Sequence, residues 1–261
     1  MKPRRSSLPR LALVILAVLL AAMQALGADL HVLVSGAFTE AFDRLAPQYE
    51  KATGQRIVIG HGASMGGAAD SIPSRLDRKE TVDIVILAAP ALEDLIRKGQ
   101  VVADSRMDLV RSSIGMAVRA GAPKPDISTV DALKKTLLAA KSIAYSESAS
   151  GAYLANELFP RLGLAEALKG KARRIVGERT GTVVARGEAE LGFQQVSELL
   201  PIPGIDYVGK IPDEVQQVTV FSAGIVDGSK ETVAAWALLK FLISPEARPF
   251  IAKTGLDPVA R

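Results

Sequence analysis

Four short stretches bring hydroxyls, small residues and basic side chains together where an apolar strand gives way to a helix. They are Ser35-Gly36-Ala37-Phe38-Thr39, Gly62-Ala63-Ser64-Met65-Gly66, Ser146-Glu147-Ser148-Ala149-Ser150-Gly151 and Gly177-Glu178-Arg179-Thr180-Gly181-Thr182. Small residues let a backbone approach a ligand, and the free N–H groups of a first helical turn point at it. Ser35, Thr39, Ser64 and Ser150 add O–H donors. Arg75 and Arg179 lie on or near these loops, and a guanidinium suits a carboxylate gripped at two points. The chemistry of such a set is capture of a small anion by backbone donors, hydroxyls and helix dipoles. The second of these lies in a longer stretch, residues 60–75, which runs from a strand through four glycines and is expected to open a helix.

Other chemistries are poorly supplied. The chain has no Cys and only two His, His31 and His61. Cysteine nucleophiles and thiolate metal sites are therefore excluded. His31 precedes or begins a strand, so a two-histidine metal site is not expected. Gly62-Ala63-Ser64-Met65-Gly66 spells the Gly-x-Ser-x-Gly of serine hydrolases. No His follows position 61, though, and such a hydrolase needs one downstream of its serine. The hydroxyls are given donor roles only.

The elements that must position these loops alternate. Strands are expected over 30–34, 57–59, 82–87, 113–118, 142–145, 174–176, 191–194 and 217–225. Helices are expected from about 37 to 53, closed by Gly54, and over 68–79, 91–98, 129–139 capped by Ser128, 152–162, 180–186, 230–242 and 245–253. Strands alternating with helices imply an α/β chain with parallel-rich sheets and right-handed crossovers. Gly121-Ala122-Pro123-Lys124-Pro125 is a breaker cluster that reads as a lobe boundary, and the alternation restarts after it. Two lobes facing a cleft are expected, lobe 1 over 28–112 with 220–261 and lobe 2 over 113–219. Ligands of open α/β sheets lie beyond the carboxyl ends of the strands, where all four loops fall.

Residues 1–27 read as a cleaved secretory signal, with Lys2, Arg4, Arg5 and Arg10 ahead of an apolar run and small residues at 25–27. The run is too short to span a bilayer comfortably. The location expected is the periplasm. The whole chain has 32 Lys+Arg and 28 Asp+Glu. Removing the four basic residues of the signal leaves 28 against 28. No net basic charge remains to draw nucleic acid or anionic lipid, so attraction for an anion must be local.

The pattern resembles the periplasmic solute-binding proteins of type II fold, specifically the molybdate-binding family. The resemblance lies in residues 32–42, 60–67, the DIVILAAPALEDL run at 83–95, 142–158, 188–195 and 241–256. Ser64 matches the serine of that family's second loop. Ala37 stands where those relatives carry a hydroxyl, and Gln195 where they carry a cleft tyrosine. Losing two hydroxyls weakens a tetrahedral oxyanion and leaves a roomier cleft with an amide. The segments GASMGGAADSIPSRL and GEAELGFQQVSELLP are similar to the branch of this fold that contains periplasmic aconitate isomerase. That resemblance implies a tricarboxylate substrate, proton transfer, and no metal or other cofactor.

Moving a proton between carbons needs an acid–base group and donors for the developing charge. His61 is the first choice, Glu147 the second and Tyr145 a third. Arg75 and Arg179 would clamp terminal carboxylates. Ser35, Thr39, Ser64, Met65 and Ser150 complete the binding set. Of Gln194 and Gln195, strand alternation lets only one reach the cleft, and the family match selects Gln195. The partner is a small anion, tricarboxylate or oxyanion. The alternative reading is a monomeric receptor that hands its anion to the membrane component of an ABC transporter.

Overall fold

A computed structural model describes residues 28–259, so the expected signal at 1–27 lies outside the described residues. β1 (Leu30–Ser35) is almost wholly buried and feeds α1 (Gly36–Thr53). Ala37, Phe38, Ala41, Phe42, Leu45 and Tyr49 recur at helical spacing and form the buried stripe of α1. Gly54, at φ 75°, ends the helix in the left-handed conformation and donates its N–H to the Glu50 carbonyl. β2 (Ile57–Gly62) lies parallel to β1, with His61 in register with Val34. It is longer than expected, because Gly60, His61 and Gly62 continue the ladder rather than leaving it.

The helix expected from Ala68 begins later. α2 (Ile72–Asp77) is capped by Ser71, whose Oγ accepts the Ser74 N–H at 3.3 Å, and Pro73 sits in its first turn. Cap and proline outweigh the helix propensity of Ala68 and Ala69. β3 (Ile84–Ala88) and α3 (Ala89–Arg97) follow, then β4 (Met107–Ser112), a strand the sequence reading missed.

The chain passes to a second sheet at Ser113, where β5 (Ile114–Arg119) begins. The breaker cluster at 121–125 is not that passage. It turns the far end of β5, with Gly121 at φ 79° and its N–H donated to the Asp206 carboxylate. α4 (Val130–Ala139) is capped by Thr129, not Ser128. β6 (Ile143–Ser146) leads into α5 (Ala149–Tyr153), a π-helical segment (Leu154–Leu158) and α6 (Phe159–Arg161). α7 (Ala165–Leu168), β7 (Ala172–Ile175), α8 (Thr180–Ala185), β8 (Leu191–Gln195), α9 (Val196–Leu199) and β9 (Ile205–Lys210) complete this half. β10 (Thr219–Ile225) returns to the first sheet, followed by α10 (Thr232–Leu242), α11 (Arg248–Ala252) and β11 (Asp257–Pro258).

The first sheet runs β11-β4-β10-β3-β1-β2 and the second β7-β6-β8-β5-β9. Both are mixed. β1 with β2 and β3, and β6 with β7 and β8, are parallel units. β4, β5, β9, β10 and β11 pair antiparallel. Gln216 fastens the two connecting segments together. Its Oε1 accepts the Ile114 N–H at 2.8 Å, and its Nε2 donates to the Ile114 carbonyl at 3.0 Å. Each sheet has its own core. One is built on Phe38, Phe42, Ile86 and Leu239, the other on Met116, Leu133, Leu154 and Phe193. The carboxyl ends of β1, β2, β6, β7 and β8 turn towards one hollow between them.

Candidate functional site

That hollow has a volume of about 390 Å³. Its first wall is the start of α1. Ser35 is the N-cap residue by position, yet its side chain caps nothing, and its Oγ is buried without a partner. The backbone of Gly36 and Ala37 lines the cavity. The opening turn of this 18-residue helix therefore faces the hollow without a side-chain cap from Ser35, and the Glu198 carboxylate rests against Gly36. One turn on, the Thr39 hydroxyl donates to the Ser35 carbonyl at 3.2 Å. Its oxygen then accepts from Nδ1–H of His61 at 3.3 Å. Nε2 of His61 lies on the other side of the ring, 3.7 Å from Oδ1 of Asp43. Burial raises the Asp43 carboxyl above the ordinary range, while the charges of His61 and Arg179 pull it back and that of Glu40 adds to the rise. Asp43 lies four residues beyond Thr39 on the same helix face. That spacing was the signal for it, and the sequence reading missed it.

The loop after β2 contributes Ser64, whose Oγ accepts the Ala88 N–H at 3.0 Å. Its own proton is free to donate into the cavity, where Ser64 is a lining residue. From the second sheet, Ser146 and Ser150 share a buried hydrogen bond of 3.0 Å. Glu147 accepts the Gly177 N–H at 3.3 Å and presses against Gly66 of the first sheet's loop. Gly66 has φ 103°, and a Cβ there would meet Oε2 of Glu147 at 2.9 Å. Gly66→Ala is expected to lower stability by about 1–2 kcal/mol, read by urea denaturation. No change in midpoint would show that this loop is not held in that conformation.

Arg179 lines the cavity at the start of α8, and among the described residues its guanidinium has no ion-pair partner. Both Gln194 and Gln195 reach the hollow, against the expectation from strand alternation. The reason is local. β8 ends at Gln195, which turns at φ −58°, ψ 141° to become the N-cap position of α9, so the pleat rule stops there. Oε1 of Gln194 accepts the Thr180 N–H at 2.9 Å, which aims its Nε2 at Oε1 of Glu198, 2.8 Å away. Gln195 donates to Thr219 at 3.3 Å and leaves Oε1 buried without a partner. Glu198, also missed from sequence, lines the floor and is 9% exposed. Burial pushes its carboxyl up to about 7, against the opposing pull of Arg179, the Gln194 amide and the Gln195 N–H.

The hollow thus collects Thr39, His61, Ser64, Glu147, Ser150, Arg179 and Gln195. Three expected residues fall outside: Ser35, whose buried hydroxyl does not line the hollow, Arg75 and Met65. Arg75 is held by Glu80, Nε to Oε2 at 2.7 Å, and donates to the His61 carbonyl at 3.2 Å. A guanidinium committed to a carboxylate of its own cannot clamp a ligand in the hollow; it braces β2. Met65 faces a separate groove with Ala89, Pro90 and Tyr153 and packs on the apolar cluster around Leu33. Tyr145 packs edge-on against Phe159, ring centres 6.1 Å apart. His31 sits at the opposite end of β1 from Ser35, so the two histidines do not meet.

A model of the bacterial extracellular solute-binding protein family matches residues 30–257. The chain is 51% identical over 256 residues to a protein of Pseudomonas sp. named aconitate isomerase, covering 97% of both chains. It is 29% identical to a molybdate-binding protein of Azotobacter vinelandii, over 95% of this chain and 97% of that one. The solved periplasmic molybdate-binding protein of that organism superposes with a TM-score of 0.71 at 22% identity, covering 89% of this chain and 99% of the other. That likeness shows the fold.

Proposed function

We infer that this chain, which belongs to the bacterial extracellular solute-binding proteins, is a periplasmic isomerase that interconverts cis- and trans-aconitate. The observation that carries this reading is the company kept in the hollow. Anion donors from both sheets share it with side chains able to move a proton, His61, Glu147 and Glu198. A receptor needs the donors alone. The 51% identical relative named for this activity supports the same substrate.

Aconitate has a methylene and a vinylic carbon on either side of a central carbon, and all three bear carboxylates. Removing a methylene proton spreads the electron pair over both outer carbons and their carboxylates. Returning a proton to the other carbon moves the double bond. The new double bond is cis or trans according to how the former methylene arm is held. The barrier lies in placing further negative charge on a trianion, so stabilisation must be electrostatic. Arg179, the N-terminus of α1 and the hydroxyls of Ser64 and Ser150, which line the hollow, would supply it. His61, with Asp43 beside Nε2, is the acid–base group at the exposed rim. Glu147 is held by Gly177 and Gly66 and is the weaker candidate.

Purified protein lacking residues 1–27 should convert cis- to trans-aconitate, followed by chromatography. Without turnover, and with a thermal shift on molybdate or tungstate instead, the chain is a receptor serving an ABC transporter. Ala37 and Gln195, where hydroxyls would suit a tetrahedral oxyanion, argue against that outcome. His61→Ala is expected to lower kcat by about 100-fold, the usual scale for a lost acid–base group, and to leave trans-aconitate affinity within about threefold. Unchanged kcat in that variant removes His61 from the chemistry.

A further inference from the structure

Glu198 is the carboxyl group with no evident business where it lies. It stands at the third position of α9, a helix of four residues, and reaches back to the Gln195 N–H. That is half of a capping box, which glutamine fills as well as glutamate. A cap belongs at a wet helix end, yet this carboxyl is 9% exposed and lines the anion cavity. It also rests on the first sheet's helix. A Cβ on Gly36 would fall 2.1 Å from its Oε1, so only glycine admits the carboxylate there. Gln194 fixes Oε1 in turn, and the Thr180 N–H fixes Gln194. The group is thus held on both sides at the open N-terminus of α1, where a ligand carboxylate would also settle. Among the described residues, Arg179 of α8 is the cation facing it. Asp43, His61, Asp70, Glu147 and Glu178 are the other titratable groups on the same walls.

Resting on the isomerase reading, we propose that Glu198 is a second catalytic acid–base residue, working from the floor of the cavity opposite the demands placed on His61. In one direction its carboxylate takes a proton from the methylene carbon. The C–H bond breaks, an O–H bond forms on Glu198, and the C–H electron pair passes into the allylic carboxylate system. His61 then gives its Nε2 proton to the other outer carbon, where a new C–H bond forms. In the reverse direction the roles exchange. No oxidant, reductant or further reactant is required. The two groups have swapped a proton at the end, and exchange with water resets them once the product leaves. A carboxyl that titrates near neutrality suits work in both directions.

The experiment compares wild type, Glu198→Gln and Glu198→Asp by steady-state kinetics across pH, with trans-aconitate affinity measured by calorimetry. Glu198→Gln keeps the cap and the shape but cannot take a proton. Its kcat should fall by about 100-fold or more, with affinity kept within about threefold. The limb of the kcat profile near neutrality should vanish with it. Glu198→Asp should retain that limb at a reduced rate, which a merely structural role does not predict. Should Glu198→Gln fail to fold, Gly36→Ala tests the same point. It pushes the carboxylate aside and should lower kcat with the neutral limb displaced. An active Glu198→Gln with an unchanged pH profile overturns the assignment and leaves the isomerase reading standing. A wild type without turnover overturns both.

Discussion

Arg179→Met raises the KM for aconitate by about 100-fold, close to 3 kcal/mol of binding, if this guanidinium is the carboxylate clamp of the cavity. Methionine keeps the length and loses the charge. Among the described residues Arg179 makes no ion pair, only longer-range attraction to Glu198 and Asp43, so its loss should leave the fold intact. Substrate and transition state both carry the carboxylate it holds, so most of the loss belongs in KM and little in kcat. A second consequence tests its position. Arg179 pulls down the carboxyls of Glu198 and Asp43. Removing it should carry the neutral limb of the kcat profile to higher pH. Arg75→Met is the contrast. That side chain is spent on Glu80 and the His61 carbonyl, so its loss should leave KM little changed. KM for Arg179→Met within about threefold of wild type would remove Arg179 from the site.

The difference between these two arginines marks where sequence reading ended. Both sat near a loop with the same composition, and nothing local separated them. The ion pair with Glu80 did, and it forms only because Lys79, at φ 58°, turns the chain back to bring Glu80 under Arg75. What strand and helix periodicity could express was legible. β1 into α1, the Gly54 cap and the entry to α8 at Thr180 lie where the pattern put them. Helix starts set by a single hydrogen bond were not, as Ser71 and Thr129 show. Two mixed sheets arose where alternating parallel units were expected, because β4, β5 and β10 carry the chain between the cores. Short strands of mixed composition such as β4 and β9 offer little apolar period to read. Glu198 and Gln194 escaped for another reason. Each draws its meaning from a neighbour distant in sequence, Gly36 for one and Thr180 for the other.

Stability should fall as pH rises from about 4.5 towards 7, and Glu198→Gln should abolish most of that fall. The unfolded Glu198 carboxyl releases its proton near 4.5, while the folded one holds it to about 7. Between those values the native state binds more protons than the unfolded state, so raising the pH favours unfolding. The stabilising contribution is complete below 4.5 and gone above 7. At about 1.4 kcal/mol for each unit between the two values, the wild type loses roughly 3 kcal/mol across the window. Asp43, also raised by burial, adds to the same trend and persists in the variant. The difference between wild type and Glu198→Gln therefore isolates Glu198. At pH 8 the variant should be the more stable protein, by up to about 3 kcal/mol in urea denaturation, and at pH 4.5 the two should converge. A gain in stability joined to a loss of turnover is what a buried acid–base group predicts, since burying its charge costs the fold what it lends the chemistry. If the wild type is instead the more stable at pH 8, the carboxylate is a structural anchor held by Gln194 and the Gln195 N–H, and its charge is already satisfied without a substrate.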